Sequence, residues 1–268
     1  MSEEVRKSPP PTSPRPAGGG TVDSRGAVGG GDSGTVSDLV LSLADCKQLL
    51  GLRYAEWCSA TPTLEADIAA AAMGLDDLGH SRVLAGCLAD LGTDPRTDAR
   101  MTDAGEYRNV AFLDDSWTDW SQFVAANAVL DTAFTLLIEA LVDGDVEVLR
   151  TRLRKMVSEE RYHFLHGRSW LREEGVQGSV EQAWREAVEW FGPEGATLPG
   201  TRVGAGDLRR RLAEQLEREE PAFDIDWKAW NPVRRRVRPG AIDERTFTML
   251  RGLEERRFSV GGTAPARA

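Results

Sequence analysis

Two long stretches of helical period are each interrupted near mid-length by a carboxylate and an imidazole three residues apart. One runs Ala66, Ala70, Met73, Asp77, His80, Leu84, Cys87, Leu91, and the other Leu149, Leu153, Met156, Glu160, His163, Gly167, Trp170. Positions i and i+3 share a helix face, so each pair interrupts the stripe that faces the core. A charged carboxylate there is costly unless it is paired or bound to metal. The chain must therefore bury at least two helices side by side and solve the charge problem between them.

The connections between helices narrow the architecture. Ser37 and Asp38 are placed to cap a first helix that runs to about Cys58. Ala60-Thr61-Pro62-Thr63 breaks it, and Thr63 can cap a second helix that reaches about Leu91, stopped by Gly92. About 24 residues follow, through Asp94-Pro95, Gly105 and Asp114-Asp115. A third helix is expected from about Trp117 to Val142, a short turn at Asp143-Gly144-Asp145, and a fourth from about Val146 to Glu174. Two hairpins with short turns, joined by one long link, are the connectivity of an all-α, ferritin-like four-helix bundle with a single crossover. Shorter amphipathic helices are expected at Val180–Phe191 and Leu208–Glu219, with a terminal helix at Ile242–Arg257. The chain thus divides into a tail (1–35), a bundle (36–175) and a C-terminal helical extension packed on it (176–268).

The tail is rich in Pro, Gly and Ser, a composition that cannot bury enough apolar surface to order itself. Net charge is -10, which argues against nucleic acid as the main partner. No apolar run is read as reaching the roughly 18–20 residues of a membrane span, and the N-terminus lacks the apolar centre of a signal peptide. Cys46, Cys58 and Cys87, an odd and sparse set without a CxxC pair, fit reduced, buried thiols in a cytoplasmic protein. Arginines outnumber lysines and read as scattered over exposed helix faces. Trp227 and Trp230 read as packing anchors.

Folding the first hairpin about residues 61 and 62 sets Asp45 level with Asp77 and His80. Folding the second about Gly144 sets Asn127 level with Glu160 and His163, with Asp131 one turn away on the same stripe and able to fill the site if the turn is wider. The candidate metal ligands are therefore Asp45, Asp77, His80, Asp131, Glu160 and His163. Hard oxygen donors with imidazole suit two iron ions, with manganese as the alternative. His166 reads as a helix-surface or supporting histidine, and Glu56, Glu139 and Glu159 as solvated, salt-bridged or supporting the ligands from behind. The competing reading is a polar core in which carboxylates pair with histidines and arginines.

Tyr54-Ala-Glu-Trp-Cys58, Leu64-Glu-Ala-Asp-Ile68, Gly74-Leu-Asp-Asp-Leu-Gly-His-Ser-Arg82, Glu106-Tyr-Arg-Asn109 and Glu159-Glu-Arg-Tyr-His163 resemble the phenylacetic acid catabolic proteins, the ferritin-like subunits of bacterial phenylacetyl-CoA epoxidase. The resemblance is clear over 43–170 and loose beyond. It implies a component of a multicomponent ring epoxidase, with a di-iron monooxygenase site in one type of subunit and a scaffolding role in the other. This chain looks most like the scaffolding type, yet carries Asp77, His80 and Glu160 where that type has apolar or amide residues. The implied partners are a related ferritin-like catalytic subunit or a second copy, a separate reductase and a CoA-thioester substrate, with no nucleic acid and no membrane. A scaffold role and a stand-alone metal-handling role are the alternatives.

Overall fold

The structure, a computed structural model, describes residues 34–93, 103–173 and 175–259. Among them the secondary structure is helical, with two isolated bridges, Thr197 to Gly204 and Asn231 to Arg236. The expected tail falls outside the described residues up to position 33, as does the Asp94-Pro95 part of the crossover.

Helix α1 (Val36–Trp57) is capped by Thr35, slightly earlier than expected. The Thr35 hydroxyl accepts from Asp38 N at 3.1 Å, and the Asp38 carboxylate accepts from Thr35 N at 2.9 Å. This reciprocal pair is a capping box, so Asp38 serves at the third helical position and not as the cap. Helix α2 (Leu64–Asp90) begins at Thr63 as expected, whose hydroxyl accepts from Ala66 N. The two helices cross at a pair of glycines. A methyl group added at Gly51 would lie 2.9 Å from Gly74 O, and one at Gly74 would lie 3.0 Å from Gly51 O.

The third long helix, α3 (Trp120–Val142), starts three residues later than expected. Asp119 caps it by accepting from Ser121 N, and Trp117 packs into the crossover instead, its indole donating to Phe112 O. α3 is also long and apolar enough to cross a membrane, contrary to the expectation that no such run exists. Yet 89% of its apolar window is buried inside the protein, which makes it the central core helix. Within it, Ala126–Asp131 form a π-helical turn. Thr132 and Thr135 hydroxyls donate to the carbonyls of Ala128 and Asp131 around this turn. The expected fourth helix is two pieces, α4 (Glu147–Arg152) and α5 (Arg154–Trp170), broken at Leu153. The C-terminal helices are α6 (Gln177–Phe191), α7 (Ala205–Gln215) and α8 (Glu244–Ser259).

These additions decide where α1 sits. Fifteen of its 22 residues are buried, including nearly every position from Leu39 to Tyr54. α2 covers one side, while the crossover reaches another through Ser42 Oγ, which donates to Arg108 O. Trp190 of α6 donates to Ser42 Oγ at 2.9 Å. A helix that is apolar all round is a buried one, so both faces of α1 meet protein.

The crossover is also tied to α6 by Glu186, whose carboxylate accepts from Phe112 N. Burial pushes the Glu186 carboxyl up to about 7. A carboxyl raised in the folded state keeps its proton where the unfolded chain has lost it, so stability falls as pH rises from about 4.5 to about 7. Glu186→Gln should therefore flatten the melting temperature between pH 5.5 and 8 and leave the variant the more stable form at pH 8, by about 2–3 kcal/mol. Parallel pH slopes for the two proteins would show that this group does not govern the effect.

Candidate metal centre

Three helices send carboxylates and imidazoles to one buried point. From α2 come Asp77 and His80, from α3 Asp131, and from α5 Glu160 and His163; all are at most 3% exposed. Asp77, Asp131, Glu160 and His163 each offer a ligand atom, and these atoms lie within 4.8 Å of one another, a group that could hold a metal ion. His80 joins it at the edge, with Nδ1 2.8 Å from Glu160 Oε1 and 3.6 Å from Asp77 Oδ1.

The π turn explains the contribution of α3. The wider turn brings Asp131 to the cluster, where its Oδ2 lies 2.9 Å from His163 Nδ1 and accepts from Tyr54 OH at 3.2 Å. Asn127, the other candidate, supports instead: its amide donates to His163 O, and its Oδ1 lies 2.9 Å from His166 Nδ1. His166 thus buttresses Asn127, outside the cluster, and burial lowers its pKa.

The first helix departs from expectation. Asp45 turns away from the cluster, its Oδ2 accepting from Arg108 N at 3.0 Å on the crossover. Residues two apart on a helix point about 200° apart, so the position that faces the cluster is Lys47. Its ammonium donates to Asp77 Oδ1 at 2.9 Å and to Asp131 Oδ1 and Glu160 Oε1. Lys47 is fully buried. Spacing along the stripe Leu41, Asp45, Leu49 cannot reveal this, because the stripe is buried against the crossover and the opposite stripe against the bundle.

Electrostatics follow from these contacts. Burial alone would lower the Lys47 pKa, but the Asp131, Asp77 and Glu160 charges outweigh it and hold it well above the ordinary lysine range. Burial would raise Glu160; the Lys47 charge and the His80 hydrogen bond override it and bring it down to about 2. Burial likewise opposes protonation of both histidines. His80 is nevertheless raised to about 10 by Asp77 and Glu160, and His163 to about 9, first by the Asp131 charge. Three carboxylates thus meet three cationic groups, and the cluster is close to neutral within itself.

The surroundings complete the picture. Glu159, expected to be solvated, salt-bridged or supporting a ligand, bridges His80 Nε2 at 3.0 Å and Lys155 at 2.8 Å. Asp131, Glu160 and His163 also line one side of a cavity of about 290 Å³ between α3 and α5, with Glu139, Arg161 and Gln215 among its other walls. The donor chemistry fits a hard cation. Asp77 Oδ2 is buried without a hydrogen-bond partner, as an unused ligand atom would be, whereas His163 Nε2 faces Asp76 Oδ2 at 3.5 Å. The same three carboxylates hold the Lys47 ammonium, however, so metal and ammonium compete for one place.

A model of the phenylacetic acid catabolic protein family matches residues 28–224 of the chain. Over 190 residues, 67% of this chain and 77% of the relative, the sequence is 28% identical to the C subunit of the 1,2-phenylacetyl-CoA epoxidase of Escherichia coli (strain K12).

Proposed function

The chain belongs to the phenylacetic acid catabolic protein family, and on that premise we propose that it is a ferritin-like subunit of a multicomponent ring epoxidase acting on phenylacetyl-CoA or a similar aromatic CoA thioester. It works beside a related catalytic chain, in the cytoplasm, with electrons supplied by a separate reductase. The relative's description as one subunit of an epoxidase supports the assembly. The observation that carries the role within the assembly is Lys47. A bundle built for two metal ions takes a carboxylate from each of two helices besides the two carboxylate–histidine pairs. Here α1 delivers an ammonium to that point. The chain therefore keeps its core neutral with its own cation and contributes shape and docking to the complex.

A second reading is favoured by the convergence of Asp77, Asp131, Glu160 and His163. If Lys47 withdraws, these residues would hold iron, which when bound would supply dioxygen activation. The chain's own part would be to hold the ligands, with Tyr54 and Asn127 fixing Asp131 and His163 through the hydrogen bonds above, and to keep water away.

Metal counting separates the two. Purified from iron-supplemented cells, the chain should carry well under one iron and should co-purify with a related ferritin-like chain when the two are co-expressed. About two irons per chain, lost in Glu160→Ala and His80→Ala, would replace the first reading with the second.

A further inference from the structure

Outside the ion cluster, the crossover, α6 and the segment 235–238 enclose a cavity of about 90 Å³. Four guanidinium groups line it: Arg185, Arg235, Arg236 and Arg238. In a chain of net charge -10, that concentration needs a reason. We propose that this cavity is a binding site for a phosphate group, as a free anion or as the phosphate ester of a larger ligand.

The two inner arginines carry the inference. Arg235 is 2% exposed, and its guanidinium donates to the carbonyls of Trp190 and Phe191 at 2.6 and 2.7 Å. Among the described residues it has no carboxylate partner, so its charge is balanced by no acid. Arg236 is 4% exposed. Its Nη1 is used by Asp114, at 3.1 Å from both carboxylate oxygens. Its Nε and Nη2 are buried with no hydrogen-bond partner. Buried guanidinium N–H groups are rarely left unpaired, because each forfeits its hydration without replacement.

The carboxylates at the cavity cancel only part of this charge. Glu189 offsets Arg185, at 3.3 Å, and also accepts from Val237 N at 2.6 Å, as Asp114 offsets Arg236, which leaves the charges of Arg235 and Arg238. Glu186 is engaged by the Phe112 amide. Arg238 is exposed and forms no ion pair among the described residues. A compact anion with several acceptor oxygens matches forked, fixed donors of this kind, which is why arginine clusters recognise phosphate. The site owes nothing to the family assignment, and iron counts read that assignment separately.

The test titrates the full chain with inorganic phosphate, following heat or tryptophan fluorescence, since Trp190 and Trp230 lie 5.8 and 5.4 Å from the Arg235 guanidinium. Binding should saturate. It should weaken at least about tenfold in Arg185→Gln/Arg238→Gln, two arginines whose side chains are not core, on losing two charge-assisted contacts. It should persist in Arg150→Gln, a half-buried arginine of α4 that is not part of the cavity. Coenzyme A and its form lacking the 3′-phosphate form the second arm. Tighter binding of coenzyme A than of both inorganic phosphate and the truncated form assigns the site to a phosphate ester, and equal binding assigns it to the free ion. No saturable phosphate binding, or equal weakening in Arg150→Gln and the double variant, overturns the proposal.

Discussion

Lys47→Met should melt about 10 °C or more below the parent in the presence of a chelator, and should recover much of that loss when Mn(II) or Co(II) is added. The ammonium touches three buried carboxylates, Asp77, Asp131 and Glu160. Methionine fills a similar volume but leaves those charges without their shared partner. Removing one member of a buried ionic cluster costs about 3–5 kcal/mol, and a chain of this size shifts about 2–4 °C per kcal/mol. A divalent ion held by the same carboxylates and His163 would stabilise the folded state by mass action. The parent should show little such gain, because its own cation already stands there. Equal metal stabilisation of parent and variant would mean that Lys47 does not compete for the site. A variant that no metal rescues would mean that the carboxylates cannot close on an ion.

The second large effect is steric. Gly51→Leu should destabilise the bundle by about 3 kcal/mol or more, beyond the usual range for overpacking, because the new side chain meets backbone. Its first carbon would lie 2.9 Å from Gly74 O, 3.0 Å from Leu78 N and 3.1 Å from Asp77 Cβ. Neither helix has a flexible group there that can swing aside. Forcing α1 from α2 also draws Lys47 away from Asp77, so the packing loss and the charge loss arrive together. Gly79 supplies the contrast within α2: a methyl group there meets nothing within 4 Å. Gly79→Ala should leave the melting temperature unchanged or raise it, by up to about 1 kcal/mol from helix propensity. Similar melting curves for Gly51→Leu and the parent would show that the helices can separate at little cost.

Much of this site is legible in the sequence because α2 and α5 each have one buried face. There, the period of the apolar residues shows which way Asp77, His80, Glu160 and His163 point. α1 defeats the same reasoning. Its period has no contrast, since Asp45 and Lys47 are both buried on opposite sides. The available signal is the near absence of a polar face from Leu39 to Leu52, which leaves Lys47 the one lysine in an otherwise enclosed helix. A buried lysine requires acids around it, and the acids are in view on the other helices. Asp131 stays open beside Asn127 because ideal helical counting does not anticipate a π turn. The arginines beyond residue 230 read as surface charge, since their burial depends on an irregular segment with no period. Arg235 adopts φ 54° there, a conformation that costs energy for such a residue and leaves no trace in composition.

The π turn at Ala126–Asp131 also has a hereditary meaning. Such a turn holds one residue more than a regular one, and each residue rotates the downstream helix by about 100°. Loss of a single codon within it would restore a regular helix and swing the Asp131 carboxylate out of line with its partners. In lineages that share this bundle, acid delivery from the third helix can therefore be gained or lost in one genetic step, without altering any of the other side chains that meet it.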